Sequence, residues 1–178
     1  YNMFQYRIIS EIVIKNKDYD APGLFEIAQD RIDYLDHLVE NAASPLCRLL
    51  SLELLPLSIL YLESGRLQEA RMAQERQLEI WRSLNDEENV AVALNNLGNT
   101  LMIMRKFEEA RDVIQESLVL NEKLHGVDSK QVAQTLNVLT DAQMNLGQLQ
   151  EARTTSDRAL RITETHFYEE DPALYARV

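Results

Sequence analysis

The sequence has very little of the residues that build disulfides, loops and metal sites. Its 178 residues include one cysteine, four prolines, five glycines and three histidines. A lone cysteine, Cys47, excludes an internal disulfide and is typical of a reducing compartment, so we expect a cytoplasmic protein. Because helix-breaking residues are scarce and good helix formers are common, the composition favours an all-α chain.

Positive charge is also in short supply. The chain has 18 Lys and Arg against 29 Asp and Glu, which gives a formal net charge of −11. This balance argues against binding to nucleic acid and to an anionic membrane surface. The acidity fits either a basic partner or a solvated helical exterior, and we favour the exterior. The longest apolar run, 46–62, contains Arg48, Glu53 and Pro56 and is too short to span a bilayer.

The sequence contains no recognisable motif for catalysis or metal binding. His37, His125 and His166 have no metal-binding spacing to one another or to Cys47. The glycines form no phosphate-binding loop, and no Gly-x-Ser-x-Gly motif occurs. We therefore expect no metal, no cofactor and no catalysis in this chain, although a longer protein could carry a catalytic domain.

What the sequence does contain is a short phrase that recurs at nearly constant spacing. The phrase reads GRLQEAR at 65–71, RKFEEAR at 105–111 and GQLQEAR at 147–153, with a fainter copy, GLFEIA, at 23–28. Its alanines fall at positions 28, 70, 110 and 152, so the period is 42, then 40, then 42. A fixed period in this range predicts a stacked helical array, whose usual work is binding other proteins.

Apolar residues recur at helical spacing on both sides of each copy, which predicts a helix, a tight turn and a second helix in each unit. Leu174 stands one period after Val132, so 171–178 is interpreted as the start of a further, truncated pair. We expect one array over 1–178, with a weak and divergent first pair. The predicted pairs are 2–18 with 22–40, 45–63 with 67–83, 87–104 with 107–124, and 129–146 with 149–166.

Local signals refine these pairs. Gly65 and Gly147 stand at the turn inside their pairs, where the third pair has Arg105, so glycine is favoured there but not required. Asp128 is predicted to cap the first helix of the fourth pair. Pro56 is expected to kink or split the helix that contains it, because it removes a backbone hydrogen bond.

These residues resemble the tetratricopeptide repeat. The third pair fits its pattern best, the fourth and second fit well, and the first is a weak match. The period of 40 to 42 resembles the long-repeat branch, which includes kinesin light chains, spindle-orientation adaptors of the LGN/Pins type and the sensor arrays of signalling ATPases. The resemblance implies a right-handed α-solenoid of antiparallel helix pairs. The matching residues of the third pair are Leu94, Leu97, Gly98, Leu101, Phe107 and Ala110.

In such an array the first helices line a concave groove. The face of the third and fourth first helices that points away from their leucines carries matching polar residues one period apart. Asparagine amides both donate to and accept from the backbone of an extended peptide, and the resemblance implies that use. A solvated face or a bond to a neighbouring helix is the alternative. The predicted peptide-binding residues are Asn95, Asn99, Met102, Asn137, Asp141, Met144 and Asn145.

The same face of the second pair is apolar instead. This face would either bind a hydrophobic anchor or be covered by residues 1–40, and we favour coverage by residues 1–40. The apolar groove residues are Leu52, Leu55, Ile59 and Leu62.

The leading hypothesis is a non-catalytic scaffold that holds a peptide or helix of another protein in its groove. Two alternatives remain open. The chain could be the regulatory or sensor array of a larger signalling ATPase or protease, or it could self-associate through the open ends of the array.

Overall fold

The structure, a computed structural model, describes residues 30, 33 and 45–170. The predicted first pair at 2–40 and the truncated pair at 171–178 fall outside the continuous part of this range. Residues 45–170 form six helices and no strand, which confirms the predicted all-α class. The helices are α1 (Pro45–Glu63), α2 (Leu67–Ser83), α3 (Glu87–Ile103), α4 (Phe107–His125), α5 (Lys130–Asn145) and α6 (Leu149–Glu170).

The chain divides into two compact units, residues 1–89 and 90–178. In the first unit α1 packs on α2, and in the second α5 packs on both α4 and α6. The core of the first unit is built from α1 and α2 around Leu50, Leu60 and Ala70. In the second unit, Val132, Leu136 and neighbouring residues of α5 and α6 form a corresponding cluster. One array over the whole chain stays a prediction.

The repeat is visible in burial as well as in sequence. Residues 51–60 of α1 and 91–100 of α3 run through the same order of buried, half-buried and exposed positions. This order follows the helical period, because leucines spaced three and four apart fall on one side. Leu54 and Leu57 of α1 are buried, as are their equivalents Leu94 and Leu97 of α3.

Four helices end with the same turn. After α1, the Gly65 N–H donates to Leu62 O and the Arg66 N–H donates to Tyr61 O, which is the Schellman arrangement. Equivalent pairs of bonds close α2, α3 and α5. The turn needs a left-handed residue, and Gly65 and Gly147 supply it with φ of 72°. After α3 the residue is Arg105, which adopts φ of 61° without being glycine.

One local prediction is wrong, and a second is wrong in part. α5 is capped by Ser129, whose hydroxyl accepts from the Val132 N–H at 3.3 Å, and not by Asp128. The helix begins one residue later than a cap at Asp128 requires. α1 is also not split at Pro56, because burial of its leucines on α2 holds the helix together on both sides, and a kink there stays a prediction.

Candidate protein-binding face

The predicted peptide-binding residues of α3 lie on the side of the helix opposite its core leucines. Leu94, Leu97 and Leu101 are buried, whereas Asn99 is exposed and Asn95 and Met102 are half-buried. The separation follows from the helical period, since residues 95, 99 and 102 are spaced four and three apart. α3 thus presents a row of two amides and one thioether. We call this row and its equivalent on α5 the ladder, made of Asn95, Asn99, Met102, Asn137, Asp141 and Met144.

On α5 the ladder is more open to solvent. Asn137, Asp141 and Met144 are all exposed, Met144 to 56%. The opposite side of the helix is held in the core by Leu136, Leu139 and other buried residues. The structure therefore gives the two helices matching outward rows.

The predicted peptide-binding side chains differ in their hydrogen bonds. The Asn145 amide donates to the backbone oxygen of Asp141 at 2.8 Å, so this predicted site residue is folded back on its own helix. The Asn95 Oδ1 atom is buried and has no hydrogen-bond partner among the described residues. A buried acceptor without a donor costs free energy. A ligand N–H would reach this atom only after the Asn95 side chain turned outward.

The helices that carry the ladder are held on α4 by close contacts. The Ser117 hydroxyl of α4 donates to Ala91 O of α3 at 2.9 Å. A Cβ atom placed on Gly98 would lie 2.5 Å from Ile114 Cγ1, so α3 and α4 approach each other closely at this glycine. One turn further along α4, the Asn121 amide donates to Thr135 Oγ1 of α5 at 3.0 Å. α4 thus contacts both of the helices that carry the ladder, α3 and α5.

The predicted apolar groove residues lie on α1, in the first unit. Leu52 is 57% exposed and Ile59 is 36% exposed, while Leu55 and Leu62 are half-buried. Leu55, Ile59 and Leu62 occupy the positions that carry the ladder on α3, one period of 40 residues further on, and Leu52 corresponds to Val92. The expectation that residues 1–40 cover this face concerns residues outside the described range.

The titratable groups whose pKa is shifted do not belong to the ladder. Burial raises the pKa of Tyr61, against the opposing field of Arg66, whose guanidinium lies 4.8 Å from the centre of the Tyr61 ring. Burial alone would also raise the pKa of Asp86. Hydrogen bonds from Asn89 and the ion pair with Arg48 at 3.0 Å outweigh it, so the pKa of Asp86 is lowered. Both groups serve packing and capping in the first unit.

Other kinds of site were sought in the same part of the chain. Within the described residues, no group of His, Cys, Asp and Glu is arranged to hold a metal ion. None of the described helices is long and apolar enough to cross a membrane. A cavity of about 360 Å³ lies along α6, lined by Asp128, Arg158, Arg161, Ile162 and Thr165. None of the residues that line this cavity belongs to the ladder.

Comparison with known proteins agrees with this architecture. A family model described as tetratricopeptide repeat matches residues 89–165, which include most of α3, α4, α5 and α6. The fold is similar to the crystal structure of BtubC (BKLC) from P. vanneervenii, with a TM-score of 0.72 and 27% sequence identity. The match covers 91% of this chain and 62% of that one, so this chain spans less than two thirds of its length. A search of curated proteins found no match.

The fold and these similarities define an all-α helical-repeat protein. Residues 89–165 match the tetratricopeptide-repeat family model, the family that the sequence resembles. Repeats of this family generally mediate protein–protein interaction and are typically non-catalytic.

Proposed function

We propose that this chain is a scaffold that binds a peptide segment of another protein along the ladder of α3 and α5. The single observation that carries the proposal is the match between the outward rows of the two helices. One period separates the members of each matching pair: Asn95 corresponds to Asn137, Asn99 to Asp141, and Met102 to Met144. Such side chains on the open faces of two helices in one unit suit a ligand that itself repeats, as an extended backbone does.

The chemistry of the ladder fits a peptide backbone better than a charged group. Each asparagine amide offers donors and an acceptor, and so matches the alternating C=O and N–H groups of an extended chain. The unpartnered Oδ1 of Asn95 would gain a donor on binding, which would remove the cost of its burial. Met102 and Met144 add flexible apolar contact around these polar groups.

The ladder lacks the lysines and arginines that clamp a terminal carboxylate, so we expect an internal segment of the partner as the ligand. The apolar residues of α1, Leu52, Leu55, Ile59 and Leu62, would offer a second face of different character for an apolar anchor. A reducing, cytoplasmic setting fits the only cysteine, Cys47, which is 1% exposed.

The test is to select binding peptides from a library of random peptides displayed on phage and to measure their affinity by calorimetry. Replacing Asn95 and Asn99 with alanine removes two amides, each worth about 0.5–1.5 kcal/mol. We therefore expect roughly ten-fold weaker binding. Far-UV circular dichroism should show unchanged helicity, because alanine is the better helix former.

The matched control is Gln115→Ala, which removes an exposed amide from α4, a helix that carries no part of the ladder. This variant should bind as the unchanged chain does. If the Asn95→Ala/Asn99→Ala double variant binds selected peptides with unaltered affinity, the ladder is not the binding face. A selection that enriches no peptide would count against peptide binding as a whole.

Self-association is a second candidate because of one observation on α6. Leu118 of α4 is partly buried against the core of α5 and α6, whereas its equivalent Leu160 is 56% exposed. Leu149 of the same helix is 66% exposed. Light scattering over a concentration series tests this candidate. A dimer that Leu160→Gln returns to a monomer would support it, and a strict monomer at high concentration would contradict it.

A further inference from the structure

One position of the ladder differs from its equivalent by a charge alone. Asn99 and Asp141 occupy the same place in the repeat, are both exposed and have nearly the same shape. At the other two positions the residues are identical, Asn95 with Asn137 and Met102 with Met144. The ladder is therefore neutral on α3 and carries a carboxylate at one place on α5.

Within the described residues, no basic side chain neutralises the carboxylate of Asp141. It forms no ion pair with any described residue, in contrast to carboxylates such as Asp86 and Asp112, which pair with arginines. The neighbours one turn away along α5 are Asn137, Val138, Met144 and Asn145, none of them basic. The only lysine or arginine in α5 is Lys130, which lies three turns back, or about 16 Å along the axis.

The surroundings of Asp141 suit a long basic side chain. Met144 is exposed one turn further along α5 and offers apolar surface to the methylene stem of a lysine or arginine. The Asn145 amide donates to the backbone oxygen of Asp141 and not to its carboxylate. The net charge of −11 attracts basic segments from a distance.

From these observations we infer that Asp141 sets the specificity of the ladder by pairing with a lysine or arginine of the bound peptide. This inference rests on the proposed function. Asn137 and the amides of α3 hold the peptide backbone, and Asp141 fixes its register by requiring a basic residue at one position. A guanidinium would pair with both carboxylate oxygens and is the better fit.

The experiment uses the peptides selected by the unchanged chain and a second selection with Asp141→Asn, which removes the charge and keeps the shape. Peptides selected by the unchanged chain should share a lysine or arginine at one position, and Asp141→Asn should lose that preference while still enriching peptides. Replacing the shared basic residue with glutamine should weaken binding to the unchanged chain about two- to five-fold, as expected for an exposed ion pair. The same replacement should have no effect on binding to Asp141→Asn.

Two further variants sharpen the test. Asn99→Asp places a carboxylate at the equivalent position of α3 and should create a preference for a second basic residue. Asp112→Asn removes a charge from α4, away from the ladder, and should leave the preference intact, which controls for net charge. The preference should also weaken as salt is added, because the pair is exposed.

The possible results distinguish this inference from the proposed peptide binding on which it rests. Peptides that depend on Asn95 and Asn99 but share no basic residue would overturn the role of Asp141 and leave peptide binding standing. A basic preference that survives in Asp141→Asn would overturn it equally. If the unchanged chain enriches no peptide, both the proposed function and this inference are wrong.

Discussion

The Ser117 hydroxyl of α4 donates a 2.9 Å hydrogen bond to the backbone oxygen of Ala91 in α3. The Gln77 amide of α2 makes the same kind of bond, at 2.8 Å, to the backbone oxygen of Ser51 in α1. The two donors are one period apart, and so are the two acceptors, which makes the bond part of the repeat. In the fourth pair the donor position holds Ala159, whose side chain has no hydroxyl or amide to donate.

Ser117→Ala should therefore destabilise the second unit by about 1 kcal/mol, the usual net worth of a buried hydrogen bond. The urea midpoint followed by circular dichroism would show the loss. Ser156→Ala, which removes an exposed hydroxyl from α6, serves as the control and should leave the midpoint unchanged. Equal midpoints for the two variants would mean that the bond adds nothing to stability.

Gly98→Ala should also destabilise, by about 1–3 kcal/mol, because the new Cβ would lie 2.5 Å from Ile114 Cγ1. In an exposed helix the same change would stabilise by up to about 1 kcal/mol, so the sign of the effect reports on the close approach. Ile114→Ala removes the clashing atom, and Gly98→Ala should cost less in that background. A stabilised Gly98→Ala protein would show that α3 and α4 have room to separate.

Arg105→Gly is expected to act in the opposite direction. Arg105 has φ of 61° in the turn where the second and fourth pairs have glycine. Glycine adopts this conformation without strain, so the substitution should raise the free energy of unfolding by about 1 kcal/mol. The contact of the Arg105 guanidinium with the Phe107 ring, at 6.0 Å, would be lost and would offset part of the gain. Gly147→Arg is the reverse test and should lower the urea midpoint.

Acid should weaken the first unit through Asp86. Its oxygens accept from the Asn89 N–H at 3.2 Å and from Arg48 at 3.0 Å, so it caps α3 and pairs with α1. Because its folded-state pKa lies below the unfolded value near 3.8, the stabilisation is complete above that value and is lost as the pH falls through the folded-state pKa.

The variant Asp86→Asn keeps the capping oxygen and loses the ion pair, so it isolates the effect of charge. At neutral pH it should be less stable than the unchanged protein by about 0.5–1 kcal/mol, since the pair is partly exposed. In acid the two proteins should have the same urea midpoint. A difference that persists in acid would mean that shape, rather than ionisation, accounts for the loss.

The sequence repeat predicted the positions of the described helices but not the hydrogen bonds of individual side chains. The period of 40 to 42 located both helices of the three pairs within residues 45–170, because the same apolar spacing recurs on either side of each copied phrase. The outward placement of Asn99 and Asp141 followed from the same period. That Asn145 bonds to its own helix did not follow, since this depends on a side-chain conformation and not on its position.

Local signals were less informative where packing competes with them. Pro56 suggested a break in α1, but the buried leucines on both sides keep the helix continuous. Asp128 and Ser129 are both good capping residues, and the pattern alone chose the wrong one. Asn121 stands at the position where the preceding pair has Trp81, so the repeat predicts that this polar side chain is buried, and it is.

That asparagine leads to the last prediction. Asn121 is 7% exposed, and its amide donates to Thr135 Oγ1 at 3.0 Å and to Ser117 Oγ at 3.3 Å. It is thus a polar link between α4 and α5, the helix that carries half of the ladder. Asn121→Ala should cost about 1–3 kcal/mol, because it opens a gap and removes both bonds.

A double-mutant cycle with Thr135→Val separates the link from the gap. Thr135→Val keeps the shape of the side chain and should cost less in the Asn121→Ala background than alone, with a coupling of about 0.5–1.5 kcal/mol. If the bond also orients α5, Asn121→Ala should weaken binding of selected peptides although Asn121 does not belong to the ladder. Additive costs and unchanged peptide affinity would mean that Asn121 contributes through packing and not through its hydrogen bond to Thr135. The orientation of Asp141 and Asn137 would then depend on the apolar core alone.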